Sequence, residues 1–194
     1  MDSSAKGCVG LFGGSFSPPH IGHVLACHYA LARWQLKKVL VIPSAQHPFG
    51  KDMPPISHRY NMCKTAFQHL GHFVEISLIE AQREGISYTI DTVRELTRQN
   101  SAEHYRLIVG GDILADTHKW REFDELTRLA PLLVIPRQHN GDVLGGDADD
   151  AVLPDVNSSR LRQALAEKKD PGTALPAAVY QYILQHNLYS PSAE

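Results

Sequence analysis

Two histidines close a glycine-rich stretch near the start of the chain, and their placement suggests phosphate chemistry. The residues from Gly13 to His23 read GGSFSPPHIGH and follow a short apolar run. Adjacent glycines let the backbone turn sharply and let a ligand approach its amides. A helix beginning near Gly22 would direct unpaired N–H groups at the same place, with the rings of His20 and His23 on one side. The pattern predicts a polyphosphate cradle with two imidazole donors. The cradle would be formed by Gly13, Gly14, Ser15 and Phe16.

The same residues have plainer interpretations as well. A histidine pair at this spacing could be surface polar groups or half of a metal site, but no third ligand at zinc-type spacing lies nearby. We therefore predict that the protein side chains form no metal site. The stretch lacks the Gly-Lys-Ser/Thr ending of a Walker loop, and it does not follow the GxGxxG pattern.

A second polar cluster lies far along the chain, where Asn157 to Arg162 read NSSRLR at the start of a predicted helix. Ser158 and Ser159 are residue types that cap helices, and the amides at a helix start favour an anion. Arg162, one turn further on, can grip two phosphate oxygens with its planar guanidinium. The alternative is a capped helix whose arginines are solvated.

Strands and helices must position these two clusters, and they alternate regularly along the sequence. The Val, Leu, Val and Ile of Lys38–Pro43 are typical of a strand buried on both faces. The alternation predicts an α/β fold, a Rossmann-like doubly wound parallel sheet of about five to six strands with C-terminal helices. A ligand would then bind beyond the carboxyl ends of the strands, where the strand order reverses.

Apolar periodicity gives the expected bounds of each element. The predicted strands are Val9–Phe12, Lys38–Pro43, Phe73–Ser77, Tyr105–Val109 and Leu132–Pro136. The predicted helices are about Gly22–Leu36, Ser57–Leu70, Thr92–Asn100, a stretch carrying Trp120 and Leu126, Ser158–Lys168 and Pro176–His186. Ser57 would cap the second helix, and Thr92 would open a capping box. Asn140–Asp155, rich in Asp and Gly, is predicted to be a surface loop.

Length and composition limit the classes of protein that remain. With 194 residues, the chain is predicted to be a single domain, 1–194, whose C-terminal helical part covers about 158–190. A net charge of -2 gives no reason to expect nucleic acid or an anionic membrane as a partner, and no apolar run is long enough to span a bilayer. Three cysteines without CxxC spacing predict reduced thiols in a cytoplasmic protein.

The first cluster resembles the signature of the HxGH nucleotidyltransferase superfamily, because His20-Ile21-Gly22-His23 matches its four-residue core in full. The second cluster resembles the superfamily's Ile-Ser-Ser-Thr-x-Ile-Arg segment, carried here by Ser158, Ser159 and Arg162. The resemblance implies that both histidines and Arg162 are catalytic, and that the second cluster holds the β- and γ-phosphates of ATP. Ser17 is a departure, since the superfamily's adenylyltransferases usually carry an acidic or amide residue there.

Between the clusters, the resemblance narrows to the nicotinate and nicotinamide mononucleotide adenylyltransferases. Ser87–Val93 reads SYTIDTV, and Gly110-Gly111-Asp112 is followed by Trp120, both of which are similar to segments of those enzymes. The match covers nearly the whole chain. The implied mononucleotide-binding residues are Tyr88, Thr89, Asp112, Trp120 and Lys51.

Each of these residues has a chemical role under the resemblance, and most have a plainer alternative. Trp120 would stack on the pyridine ring, or pack in the core. Tyr88 and Thr89 would hydrogen-bond the pyridine carboxylate or amide. Asp112 would bind ribose hydroxyls or cap a helix. Lys51 would meet a phosphate or be solvated.

The resemblance implies attack of a mononucleotide 5′-phosphate on the α-phosphorus of ATP, which gives a dinucleotide and pyrophosphate. Arg137 would lie against the adenine, and Mg²⁺ would accompany ATP, held mainly by phosphates and water. His47-Pro48-Phe49-Gly50-Lys51 departs from the Pro-Pro-His-Lys common in bacterial nicotinate enzymes, so nicotinate and nicotinamide mononucleotide both remain open as substrates. A monomer and a homodimer remain open too.

Two rival interpretations are left. One is another enzyme of the same superfamily, such as a pantetheine-phosphate adenylyltransferase or a cytidylyltransferase, and the Ser87–Asp91 segment together with Trp120 argues against it. The other is a nucleotide-binding regulator without catalysis, for which Ser17 is the only support.

Overall fold

A single parallel sheet forms the centre of the molecule. The structure, a computed structural model, describes residues 3–45, 53–83, 85–139, 142–145 and 150–190. Five strands pair in the order β3-β2-β1-β4-β5, and every pairing is parallel. The predicted Rossmann-like α/β sheet is therefore confirmed. The strands are β1 (Val9–Gly14), β2 (Lys38–Pro43), β3 (Val74–Ile76), β4 (Tyr105–Gly110) and β5 (Leu132–Ile135).

The sheet is covered on both faces because its strands carry apolar side chains on both. In β2, Val39 and Val41 pack into one buried cluster, whereas Leu40 and Ile42 pack into the other. This alternation follows from the two-residue period of a strand, which sends successive side chains to opposite faces. Each face then needs its own layer of helices, and the doubly wound arrangement results.

The helices start close to their predicted positions, with two corrections. They are α1 (Ile21–Trp34), α2 (Ile56–Phe67), α3 (Thr89–Gln99), α4 (Phe123–Leu129), α5 (Ser158–Ala166) and α6 (Ala177–Gln185). The predicted cap Ser57 lies inside α2, whose N-cap is Pro55. Thr92 opens no capping box, because α3 begins three residues earlier and the Thr92 hydroxyl donates to the buried Glu80 carboxylate at 3.1 Å.

The segment around Trp120 is also less regular than predicted. Gly111–Lys119 forms a 3-10 helix, Trp120 is its C-cap, and α4 begins only at Phe123. No helix within the described ranges is long and apolar enough to cross a membrane.

A short hairpin replaces part of the predicted loop at 140–155. Its strands are β6 (Arg137–His139) and β7 (Asp142–Leu144), which pair antiparallel. Residues 140, 141 and 146–149 of that loop lie outside the described residues, as does Lys51. The hairpin packs closely on the chain that leaves β4, since a Cβ atom built on Gly111 would lie 1.9 Å from the Leu144 carbonyl oxygen.

We expect Gly111→Ala to destabilise the protein, because the added methyl group meets backbone rather than a side chain that can move. An overpacked site of this kind lowers the free energy of unfolding by about 1–3 kcal/mol, measurable by urea denaturation. Gly13→Ala is the matched control, since a Cβ there meets nothing within 4 Å. Equal stability of the two variants would contradict the close approach of the hairpin.

Candidate active site

A cleft opens at the carboxyl ends of the two central strands, where the strand order reverses. Neighbouring strands β1 and β4 continue toward opposite edges of the sheet, so the segments that follow them separate and leave a crevice. The crevice has a volume of about 350 Å³. Nine of the predicted site residues line it: Gly13, Gly14, Ser15, His20, His23, Thr89, Asp112, Trp120 and Arg137.

The two histidines are held side by side at the start of α1. His20 is the N-cap of the helix in an extended conformation, and its backbone N–H donates to Nδ1 of His23 at 3.1 Å. Their ring centroids are 3.7 Å apart, and Phe16 supports the His23 ring from 4.8 Å. A side chain at the glycine between them would press on the pair, because a Cβ on Gly22 would lie 3.1 Å from Nδ1 of His20. The HxGH spacing thus produces a packed pair of imidazoles.

Both imidazoles are neutral at physiological pH. Burial lowers the pKa of His20 to about 3, and the nearby Arg137 acts in the same direction. Burial also lowers the pKa of His23 well below its usual value, and His20 and Arg137 contribute further. Because Nδ1 of His23 accepts a hydrogen bond, its single ring proton lies on Nε2. His23 can therefore donate one hydrogen bond from Nε2 without carrying a charge.

The second cluster packs against the loop that carries these histidines. The Ser158 hydroxyl donates to the Pro18 carbonyl at 3.2 Å, and Arg162 donates to the Ser17 carbonyl at 2.7 Å. Arg162 also donates to the Ser159 hydroxyl at 3.0 Å. The two distant stretches of chain are therefore brought together, as the two signatures predict.

The cap of α5 differs from the prediction. Neither Ser158 nor Ser159 is the N-cap; Asn157 takes that position, and its side chain accepts from the backbone N–H groups of Ser159 and Arg160. The two serines are left to bond other partners through their hydroxyl groups, one with the loop after β1 and one with Arg162.

On the opposite side of the cleft, the Asp112 carboxylate lines the cavity. Asp112 receives a hydrogen bond from Arg137 at 3.4 Å through one oxygen, while the buried Oδ1 has no hydrogen-bond partner among the described residues. Arg137 is fixed in turn by the Val156 carbonyl at 2.8 Å. The alternative role of Asp112 as a helix cap does not hold, since the N-cap is Gly110 and no side-chain cap bond forms.

Several predicted site residues do not line the cavity. Tyr88 is the partly exposed N-cap of α3 and lies under the Arg121 guanidinium, 5.0 Å from ring centroid to Cζ. The Phe16 side chain is fully buried beneath His23. Those outside the lining are Phe16, Tyr88, Ser158, Ser159 and Arg162, and Lys51 lies outside the described residues.

Two residues that the sequence did not single out do line the cavity. Ser44 directly follows β2, and its buried hydroxyl has no partner among the described residues. Glu80 is 9% exposed, and burial raises the pKa of its carboxyl group. A usable signal existed for both, since each stands just after a predicted strand at the carboxyl edge of the sheet.

The fold and the cleft are those of a nucleotide-handling α/β protein, and comparison with known families agrees. The family model described as Cytidylyltransferase-like matches residues 11–164, a range that includes both signatures, so the chain belongs to this family.

Two similar proteins share one name, and a solved structure is similar in fold. A protein of Anaeromyxobacter dehalogenans named "Probable nicotinate-nucleotide adenylyltransferase" is 36% identical over 184 residues, which cover 93% of this chain and 96% of that protein. One of the same name from Myxococcus xanthus is 35% identical over 185 residues, covering 93% and 94%. The solved Plasmodium falciparum nicotinic acid mononucleotide adenylyltransferase complexed with NaAD has a TM-score of 0.78 at 18% identity, covering 93% of this chain and 96% of its own.

We expect the imidazole C–H groups of His20 and His23 to keep the chemical shifts of unprotonated rings when ¹H–¹³C NMR spectra are recorded from about pH 7.5 to 5. His20→Gln and His23→Gln variants would assign the two signals, and the urea-unfolded chain provides the titrating control. Because the unfolded state binds protons that the folded state does not, His20 lowers the free energy of unfolding as pH falls from about 6.5 toward 3, and His23 acts in the same direction. Protonation of either ring near pH 6.5 in the folded protein would contradict the assignment.

Proposed function

We propose that this protein is a nicotinate-nucleotide adenylyltransferase, which transfers AMP from ATP to nicotinate mononucleotide and releases pyrophosphate. The observation that carries the proposal is the cleft itself. The loop and histidine pair after β1 line the same cavity as Asp112 and Trp120, which follow β4, and Thr89, which begins α3. The proposed phosphate-binding side and the proposed mononucleotide-binding side would thus share one cavity. The names of the relatives in Anaeromyxobacter and Myxococcus support the same activity.

In this reaction, an oxygen of the mononucleotide 5′-phosphate attacks the α-phosphorus of ATP. The bond to the β-phosphate breaks, and pyrophosphate leaves with the electron pair. Such transfers depend mainly on alignment and charge stabilisation. The neutral His23 would donate from Nε2 to a phosphate oxygen as negative charge develops, with His20 stacked beside it. No covalent intermediate with the protein is needed.

The second cluster would act on the leaving group. Arg162 uses two of its N–H groups on the Ser17 carbonyl and the Ser159 hydroxyl, which fixes the plane of the guanidinium. A guanidinium has five N–H donors, so others remain for phosphate oxygens. This arrangement supports a role for Arg162 in steadying the β- and γ-phosphates.

Mg²⁺ would enter with ATP rather than bind to a protein cage. Within the described ranges, no three or more His, Cys, Asp or Glu side chains converge so as to hold a metal ion. The lining does fit an ion that keeps phosphate and water ligands, as Mg²⁺ does. Its contribution would be to neutralise charge on the ATP phosphates.

The mononucleotide would occupy the β4 side. Asp112 lines the cavity with a carboxylate that could accept from ribose hydroxyls, and Trp120 offers a ring for stacking on the pyridine. Thr89, the first residue of α3, would donate its backbone N–H, unpaired at a helix start, to the pyridine carboxylate. An anionic carboxylate gains more than a neutral amide at a helix N-terminus, which favours nicotinate mononucleotide.

The three free, buried cysteines favour a reducing compartment such as the cytoplasm.

The purified protein should release pyrophosphate from ATP with Mg²⁺ when nicotinate mononucleotide is present, and more slowly with nicotinamide mononucleotide. Parallel reactions with phosphopantetheine and ATP, and with CTP and a phosphorylated alcohol, would test the rival activities of the superfamily. Turnover only in those reactions would overturn the proposal. Binding of nucleotides without any pyrophosphate release would favour the non-catalytic regulator.

His23→Ala should lower kcat by roughly 10²–10³, the usual loss when one transition-state donor is removed. His28→Ala is the matched control, because His28 lies on the same helix but is exposed and bonds His69. Steady-state kinetics would be measured together with circular dichroism. Wild-type turnover in a folded His23→Ala protein is incompatible with the assigned role.

A further inference from the structure

A buried arginine stands behind the phosphate cradle. Arg59, in the first turn of α2, is 2% exposed and is the bulkiest fully buried side chain in the described ranges. A buried guanidinium is costly unless hydrogen bonds replace the water it loses. Arg59 does not line the cavity. Its structural role therefore follows from the groups that accept its hydrogen bonds.

All three guanidinium nitrogens of Arg59 donate to backbone carbonyls. Nη1 donates to the Ser15 carbonyl at 3.0 Å, Nε to the Pro54 carbonyl at 3.0 Å, and Nη2 to the Ala45 carbonyl at 3.4 Å. The Glu80 carboxyl group is close enough to interact electrostatically. The planar fork of arginine suits three acceptors in different directions, whereas the single ammonium of lysine does not.

The three carbonyls belong to two separate loops. Ser15 lies in the cradle after β1, while Ala45 follows β2 and Pro54 precedes α2, so these two mark the ends of the β2–α2 connection. Ser15 and Ser44 both line the cavity. Arg59 therefore ties the phosphate cradle to the loop of the neighbouring strand at the mouth of the cleft.

We propose that Arg59 is a positioning residue, which fixes the cradle relative to the β2–α2 connection so that phosphate donors meet the ATP α-phosphate in the reactive geometry. The inference rests on the proposed function for its catalytic readout. A residue that only supported folding would change stability and leave the kinetics of the folded enzyme alone. A positioning residue changes kcat more than KM, because alignment matters most in the transition state.

The test compares Arg59→Lys with Met62→Ala. Met62 lies on the same helix and is also fully buried, within a hydrophobic cluster, so its truncation lowers stability without removing a hydrogen bond to the cradle. With ATP, Mg²⁺ and nicotinate mononucleotide, kcat of Arg59→Lys should fall by about 10²-fold, the loss expected from a misplacement near 1 Å. Both KM values should change far less. A kcat equal to that of Met62→Ala would overturn the inference.

Hydrogen exchange gives a second readout on the same variants. Backbone amides of the cradle should exchange faster in Arg59→Lys than in Met62→Ala, because only the former loses the bond to Ser15. Equal exchange of the cradle in the two variants would overturn the inference.

The wild-type protein keeps the inference testable if Arg59→Lys fails to fold. Because all three nitrogens of Arg59 are hydrogen-bonded, ¹⁵N NMR spectra should show an Nε proton protected from solvent exchange and hindered rotation of the guanidinium. A freely rotating guanidinium would overturn the arrangement. Failure of the wild type to release pyrophosphate would overturn the proposed function. Wild-type activity combined with unchanged kcat in Arg59→Lys would overturn only the role of Arg59.

Discussion

Carbonyl groups of the loop after β1 accept hydrogen bonds from side chains that do not line the cleft. The geometry of the site depends on these hydrogen bonds. Arg59 donates to the Ser15 carbonyl. Arg162 donates to the Ser17 carbonyl, and the Ser158 hydroxyl donates to the Pro18 carbonyl. A carbonyl turned toward the cavity would repel a phosphate oxygen. With the acceptors engaged elsewhere, the loop can offer its donors to an anion.

These hydrogen bonds explain why the first signature depends structurally on the second, although the two lie far apart in sequence. The α5 cluster is a structural support of the β1 loop before any ligand arrives, because Ser158 and Arg162 bond to it directly. The Ser17 hydroxyl, at 3.2 Å from the Tyr189 hydroxyl, joins the C-terminal segment to the same loop. The departure at Ser17 is thus a buried contact between two polar side chains, and not a change in the lining of the cavity.

The sheet and the histidine pair could be predicted because both depend on local patterns. Strand β2 is apolar at every buried position, and the HxGH spacing fixes both rings at a helix start. The start of α3 was missed because Thr92 bonds the buried Glu80, a partner that sequence spacing does not reveal. Arg59 was missed for the same reason: its charge looks solvent-exposed until the tertiary structure supplies three carbonyls. The hairpin was hidden because its second strand lies within the Asp- and Gly-rich stretch 140–155, whose composition is typical of loops.

The neutral histidine pair also affects how the cleft attracts anions. Arg137 is balanced by Asp112, and neither imidazole adds positive charge. An inorganic phosphate ion that entered the cleft would therefore meet no imidazolium charge. A nucleotide that brings its own divalent counter-ion and an aromatic base has other sources of affinity. The neutral imidazoles thus leave the affinity for a nucleotide to contacts other than attraction by a charged histidine.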